Sequence, residues 1–225
     1  MAKIMDTPSA VKLIKDGDIV LSGGFYGNGT PAAIVSEMLV QGQKGLTVVN
    51  NDGNTIEKGM GRLIAARQVK KFICSWCGRL PIVPELVEKG ELELEINPQG
   101  TLVERIRAAG FGLGGILTPT GLNTIVEERW GQRMTIDGKD WLYHTPLKGN
   151  VAIIEADRAD QAGNLVFHLT QRAFSICMCT AADLVIVEVT NPIEPIGSIN
   201  PEHIDVPGIF VDVLVPMKGV CSYEQ

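Results

Sequence analysis

Three stretches of this sequence join glycine to residues able to bind anions or acyl groups. The first runs from Asp16 to Pro31 and sets Gly23, Gly24, Phe25, Gly27 and Gly29 between an apolar strand pattern and Thr30-Pro31. Glycine admits positive φ and lets a ligand approach the backbone. A helix starting at Thr30-Pro31, with threonine as N-cap and proline in the first turn, offers unpaired N–H groups to an anion. The spacing is not G-x-G-x-x-G and no G-K-[ST] follows, so neither the dinucleotide nor the P-loop fingerprint is present. Taken alone, a structural tight turn explains the cluster equally well.

The second stretch is Asn97-Pro98-Gln99-Gly100-Thr101, directly after a strand pattern. Ligands of open α/β sheets bind beyond the carboxyl ends of the strands. There the Gln99 amide can donate to a carbonyl or carboxylate oxygen, or simply face solvent. Thr101 and Glu104 have capping-box spacing, which predicts a helix from Thr101 to about Gly110. The third stretch, 110–121, holds Gly110, Gly112, Gly114, Gly115 and Gly121 around Thr118-Pro119. It is too apolar for a solvated linker and suits close packing against a ligand or a partner's backbone.

Other reactive residues form no recognisable site. Five cysteines cannot all pair internally. Cys74-x-x-Cys77 lies in a strand pattern rather than a zinc knuckle, so reduced, packed thiols and no metal are expected. His144, His168 and His203 stand beside no serine or cysteine in an elbow motif, which leaves a hydrolase triad unsupported. Trp76, Trp130 and Trp141 read as core or interface residues. Glu127-Glu128-Arg129 reads as a helix start or surface segment.

The elements that must position these residues alternate. Strand patterns fall at 18–22, 46–50, 69–75, 91–96, 151–155, 165–169, 184–189 and 209–215. Helical spacing falls at 30–41, 59–68, 83–89 and 101–110. Glu91–Ile96 alternates acid and apolar residues, which predicts one exposed face. Asp137-Gly138 between 133–137 and 141–144 predicts a hairpin. The expected fold is α/β: an open, mainly parallel sheet flanked by helices, with a small antiparallel hairpin addition. With 225 residues, 45% of them apolar, the chain reads as a single domain spanning 1–225.

A net charge of −6 disfavours nucleic acid and acidic membrane as partners. Met1–Met5 lacks a leader's apolar core, and no apolar run nears the ~18–20 residues of a membrane span. A cytoplasmic location is expected. The 25 glycines exceed the usual ~7%, and they cluster at strand ends and helix starts.

In order and approximate spacing, the motifs resemble the α subunit of the family I (3-oxoacid) CoA-transferases over almost the whole chain. These motifs are D-G-x-x-x-x-x-G-G-F-x-x-x-G-x-P from Asp16, V-K-K at 69–71, G-E-L-E-L-E at 90–95, P-Q-G-T-L-x-E-R-I-R at 98–107, G-L-G-G-x-L-T-P-T-G at 112–121 and A-G-N-L at 162–165. The acetoacetate, butyrate and succinyl types are nearest. Ser75-Trp76-Cys77-Gly78 departs from the family at Cys77, where an aliphatic residue is more usual.

The resemblance implies a transferase active only with a β subunit, which carries the nucleophilic glutamate. This chain has no matching G-x-G-x-E-N segment. The α chain then supplies positioning. Gln99 is implied as an oxyanion or substrate donor, and CoA or substrate is implied to be bound by Gly23, Gly24, Phe25, Gly27, Gly29, Pro31, Asn51, Ser75, Gln99, Gly100 and Thr118. No permanent cofactor is expected, because CoA enters as a substrate and covalent intermediate. An acyl-CoA and a short-chain carboxylic acid are the implied substrates, and α₂β₂ or larger the implied assembly. A sugar-phosphate isomerase-like enzyme or a non-catalytic ligand-sensing domain on a related scaffold is the alternative.

Overall fold

The computed structural model describes residues 2–217. Eight strands form one sheet in the order β1-β13-β12-β9-β2-β3-β4-β5, and every pairing in it is parallel. These strands are β1 (Lys3–Ile4), β2 (Ile19–Ser22), β3 (Leu46–Val49), β4 (Val69–Cys74), β5 (Glu93–Ile96), β9 (Gly149–Ala156), β12 (Ala182–Val189) and β13 (Val213–Pro216). Helices α1 (Thr7–Val11), α2 (Ala32–Gln41), α3 (Gly61–Ala65) and α4 (Ile82–Glu88) cover one face, and α5 (Gln99–Gly110) and α7 (Ser175–Thr180) the other.

Neighbouring residues on a strand point to opposite faces, and here both faces are covered. Val20, Val48 and Phe72 join α2, α3 and α4 in one core. Leu21, Val49 and Ile73 join α5 and α7 in the other. Burial on both sides is what continuous apolar strands require.

The antiparallel addition is larger than expected. β7 (Gln132–Ile136) and β8 (Lys139–His144) form the hairpin, with Asp137 and Gly138 at φ 50° and 72°. The glycine-rich stretch, which shows no strand pattern in the sequence, contributes a third strand, β6 (Ile116–Thr118), paired with β8. Helix α6 (Ile125–Arg129) links β6 to β7 and carries Glu127-Glu128-Arg129. A two-stranded pair, β10 (Arg158–Ala159) and β11 (Leu165–Val166), completes the set. The expected strand at 165–169 stops at Val166, and a 3-10 turn at Leu169–Arg172 follows.

Two caps differ from expectation. Helix α2 begins at Ala32 with Pro31 as N-cap and no side-chain bond from Thr30. The Glu188 carboxylate of β12 accepts from the Ala33 and Ile34 N–H groups, both at 3.0 Å. Helix α5 begins at Gln99, so the Thr101–Glu104 box does not form. Glu104 pairs with Arg107, and among the described residues the buried Thr101 hydroxyl has no hydrogen-bond partner. In β5 the exposed-face expectation fails at Glu95, which is buried and bridges Lys71 and Arg105.

Candidate active site at the strand ends

Chain order runs outward from the centre of the sheet in both directions: β2 to β5 one way, β9 to β13 the other. The reversal between β2 and β9 is a topological switch point, the usual place for a ligand in such sheets. The loops leaving the carboxyl ends of β2, β3, β4 and β5 deliver Phe25 and Tyr26, Asn51 and Asp52, Ser75 and Trp76, and Gln99. These residues line one open cavity of about 300 Å³.

Hydrogen bonds fix its polar side. Gln99 Nε2 donates to Asn51 Oδ1 at 2.9 Å. Ser75 Oγ lies 2.8 Å from the Asn51 carbonyl and 3.0 Å from Asn51 Oδ1, and its single proton serves one at a time. Asn51 Nδ2 and the Tyr26 N–H both donate to Asp52 Oδ2, at 3.1 and 2.7 Å. The Asn54 N–H donates to Asp52 Oδ1 at 2.9 Å. Asp52 thus spends both oxygens tying the loops together. Gln99 keeps its second Nε2 hydrogen and its Oε1 without a partner among the described residues.

The opposite side is aromatic. Phe25 and Tyr26 stack at 5.6 Å, and Tyr26 and Trp76 at 6.2 Å with 10° between ring planes. Tyr26 takes φ 58°, a left-handed conformation that costs a non-glycine residue energy. Its N–H bond to Asp52 holds it there.

The base of the site is built to keep Gln99 still. Arg105 Nη1 donates to Glu95 Oε1 at 2.6 Å and to Asn97 Oδ1 at 2.7 Å, and its Nε donates to the Thr145 carbonyl. Burial works against the Glu95 charge. Hydrogen bonds from Lys71 and Arg105 outweigh it and hold this carboxyl below its ordinary range. The network anchors the end of β5 and one face of α5, on either side of Gln99.

The expected binding residues fall into separate places. Phe25, Asn51, Ser75 and Gln99 share the cavity described above. Gly27 lines a second cavity of about 380 Å³ on the other side of Tyr26. Gly100 and Thr118 line a third, of about 520 Å³, between α5 and β6. Gly23, Gly24, Gly29 and Pro31 are buried and shape the loop through its backbone.

At Gly24, φ is 102° and a Cβ would lie 2.4 Å from Thr30 Oγ1. At Gly29, φ is 76° and a Cβ would lie 2.8 Å from Gln171 Cα. No side chain fits either position. Tyr26 and Asp52 were missed, although each follows a strand and sits among expected residues. Trp76, read as core or interface, is 46% exposed on the cavity wall.

Cys74 ends β4 beneath this wall and Cys77 lies three residues on, just before the turn at Gly78 and Arg79. The described cysteines are free thiols, and Cys221 lies outside the described residues. The hydrogen bond between Cys74 and Cys77, reinforced by burial, pushes Cys74 up. The same bond lowers Cys77. Burial raises Cys177 and pushes Cys179 up to about 12. Since the thiolate is the reactive form, iodoacetamide at pH 7 should alkylate Cys77 first among the four described cysteines, and Cys74 and Cys179 last. Peptide mapping by mass spectrometry over a time course checks this, and equal rates at Cys74 and Cys77 would refute it.

The family model for coenzyme A transferase matches residues 4–216. The chain belongs to the coenzyme A transferase family. It is 40% identical over 213 residues to the alpha subunit of acetate CoA-transferase from Escherichia coli K12, covering 95% of this chain and 96% of that one. It is 36% identical over 227 residues to mitochondrial succinyl-CoA:3-ketoacid coenzyme A transferase 2A of mouse, covering 93% of this chain but 44% of that longer one.

The fold matches an acyl-CoA transferase from Escherichia coli O157:H7, solved as a thioester complex with CoA, with a TM-score of 0.87 at 20% identity. The match covers 96% of this chain and 47% of that one, so the present chain spans about half of it. In this coenzyme A transferase chain, the isomerase and ligand-sensor alternatives find no support. Among the described residues, no helix is long and apolar enough to cross a membrane.

Proposed function

We propose that this chain is the α subunit, a single domain, of a heteromeric coenzyme A transferase of the cytoplasm. It would move CoA between an acyl-CoA and a short-chain carboxylic or 3-oxo acid, with CoA as substrate and covalent intermediate and with no permanent cofactor. One observation carries the division of labour. The lone carboxylate lining the strand-end cavity, Asp52, is held by three donors inside its own loops. The cavity thus offers a donor amide and an apolar wall but no free carboxylate nucleophile. The relatives named as subunits, and the mouse relative more than twice as long, support a β partner, to which the resemblance assigns the glutamate.

The chemistry then runs in balanced steps. The partner's glutamate attacks the acyl thioester carbonyl, expelling CoA thiolate and leaving an acyl-glutamyl anhydride. The thiolate attacks the glutamyl carbonyl, expelling the free acid and leaving glutamyl-CoA. The acceptor acid reverses both steps. Within this chain, the spare Gln99 hydrogen is placed to meet oxyanion charge as it develops. Asn51 and Ser75 orient Gln99. Phe25, Tyr26 and Trp76 keep water from the anhydride and thioester, which hydrolysis would waste.

The assembly, α₂β₂ or larger, is the unit to assay. Residues 1–225 alone should show no transfer from acetyl-CoA or succinyl-CoA to acetate, butyrate or acetoacetate. Co-expression with the β subunit should restore it, and mass spectrometry after acyl-CoA treatment should find CoA on a partner glutamate. Turnover by the isolated chain would overturn the reading.

A further inference from the structure

Three side chains on the polar side of the strand-end cavity could each be reversed in place. The amides of Asn51 and Gln99 carry an oxygen at one end and an amino group of similar size at the other, and the Ser75 hydroxyl both donates and accepts. If Asn51 and Gln99 were turned end for end together, they would keep their mutual hydrogen bond. Ser75 would then accept from Asn51 where it now donates. Gln99, however, would offer a carbonyl oxygen where it now holds a spare N–H. An oxyanion there would be repelled instead of met.

Asp52 breaks this symmetry. Its Oδ2 accepts from Asn51 Nδ2 at 3.1 Å and from the Tyr26 N–H at 2.7 Å, and its Oδ1 accepts from the Asn54 N–H at 2.9 Å. A carboxylate that takes three donors offers only acceptors. Reversing Asn51 would set its Oδ1 against Asp52 Oδ2 with no proton between them. Both residues are buried, where an unmade hydrogen bond is not replaced by water. Asn51 Nδ2 must therefore face Asp52, Oδ1 must face Gln99, and Gln99 must turn Nε2 inward to Asn51. The Asn51 backbone is pinned separately, its carbonyl accepting from the Ser75 and Trp76 N–H groups at 3.0 and 3.3 Å.

We infer that Asp52 is a positioning residue for the transfer reaction: by accepting from Asn51 Nδ2 it sets the direction of the hydrogen-bond chain from Asp52 through Asn51 to Gln99, so that Gln99 presents N–H and not oxygen to the reacting carbonyl. The inference rests on the transferase reading, with Gln99 as its donor. Asp52 acts through Asn51 and not on the substrate. The same Oδ2 holds Tyr26 at φ 58°, so one acceptor ties the polar side of the cavity to its aromatic wall.

The assembled enzyme tests this, with the pair from acetyl-CoA or succinyl-CoA and butyrate or acetoacetate that the wild type turns over fastest. Asp52→Asn keeps the shape of the side chain but replaces one acceptor by a donor. It should lower kcat by at least about 10-fold, and by no more than the ~10²–10³-fold of losing the donor itself, with a smaller change in KM. On a Gln99→Ala background the same substitution should lower kcat about 2-fold or less, because residues that act through one another are not additive. Adding Asn51→Asp to Asp52→Asn moves the acceptor-only group one position along the chain of bonds. Gln99 must then turn Nε2 inward again, and kcat should recover about 3-fold or more over Asp52→Asn alone.

A role confined to loop packing would multiply the Gln99→Ala loss and would not respond to a carboxylate moved to position 51. Co-purification with the β subunit and a thermal melt show that each variant has folded. If Asp52→Asn does not co-purify, the same comparisons are made on a Tyr26→Gly background, where the backbone needs no hold at positive φ. Failure to assemble even there makes Asp52 a folding residue and overturns the inference. So does an unchanged kcat in Asp52→Asn, a multiplied loss on Gln99→Ala, or no recovery with Asn51→Asp, while turnover by the wild type leaves the transferase reading standing. A wild-type complex that transfers CoA to none of these acids brings down both.

Discussion

Alanine at Gln99 is expected to cut kcat of the assembled enzyme about 10²–10³-fold, the usual loss when one oxyanion donor is removed. The amide is poised for that role. One Nε2 hydrogen is engaged by Asn51 Oδ1 at 2.9 Å, which orients the group, and the other is unassigned. Stability should barely change, since Gln99 is exposed at the start of α5 and its backbone, not its side chain, begins the helix. KM for the acid should move less than kcat, because a donor aimed at developing charge acts mainly in the transition state.

Asn51→Ala should reproduce part of the loss, since it leaves the Gln99 amide present but unheld. Gln99→Glu should be worse than alanine, because it sets a carboxylate against an oxyanion. Steady-state kinetics of the assembled enzyme, alongside a thermal melt, reads all of these. Equal kcat in wild type and Gln99→Ala would remove Gln99 from the chemistry.

The parts of this architecture that local patterns encode were legible. Apolar pairs such as Val20-Leu21, Val48-Val49 and Phe72-Ile73 announce strands buried on both faces, and the structure divides each pair between the two cores. Asp137-Gly138 announces its hairpin. The glycines of 23–29 announce a tight loop, and the structure packs Gly23, Gly24 and Gly29 against neighbouring atoms while Gly27 lines the second cavity.

What stayed hidden depends on distance along the chain. Thr101 and Glu104 satisfy a local capping rule, but α5 starts two residues earlier, at Gln99. Glu104 then takes Arg107, a partner within reach on the same helix face. Glu95 looks like an exposed acid by alternation. It is buried because Arg105, ten residues on, and Lys71, on the neighbouring strand, meet it there. Trp76 resembles a core residue by type. Only the placement of Tyr26 beside it shows that it walls a cavity. No local rule joins Glu188 to α2, because the bond spans 155 positions.

That last contact carries the second large expectation. Glu188 and Glu155 face each other in register across β12 and β9, both fully buried. Glu188 serves as the acceptor for the α2 N-terminus, and Gln171 Nε2 donates to Glu155 at 2.8 Å. Burial pushes the Glu188 carboxyl up from 4.5 to about 7, against the two N–H bonds, with the Glu155 charge adding to the rise.

The sign follows from which state holds the proton. Between pH 4.5 and 7 the folded chain keeps a proton that the unfolded chain has released. This group therefore costs stability progressively as the pH rises through that window, and the cost is constant above it. At about 1.4 kcal/mol per unit, the full effect is about 3 kcal/mol.

Glu188→Gln keeps an acceptor for Ala33 and Ile34 but cannot ionise. The variant complex should therefore match the wild type near pH 5 and melt higher than it at pH 8. Glu188→Leu leaves both N–H groups unanswered and should melt lower at every pH, at about 1–3 kcal/mol for each buried donor. Thermal melts of the assembled enzyme at fixed concentration, from pH 5 to 8, separate the two effects. If wild type and Glu188→Gln keep the same pH slope across that range, the proton is not held at Glu188.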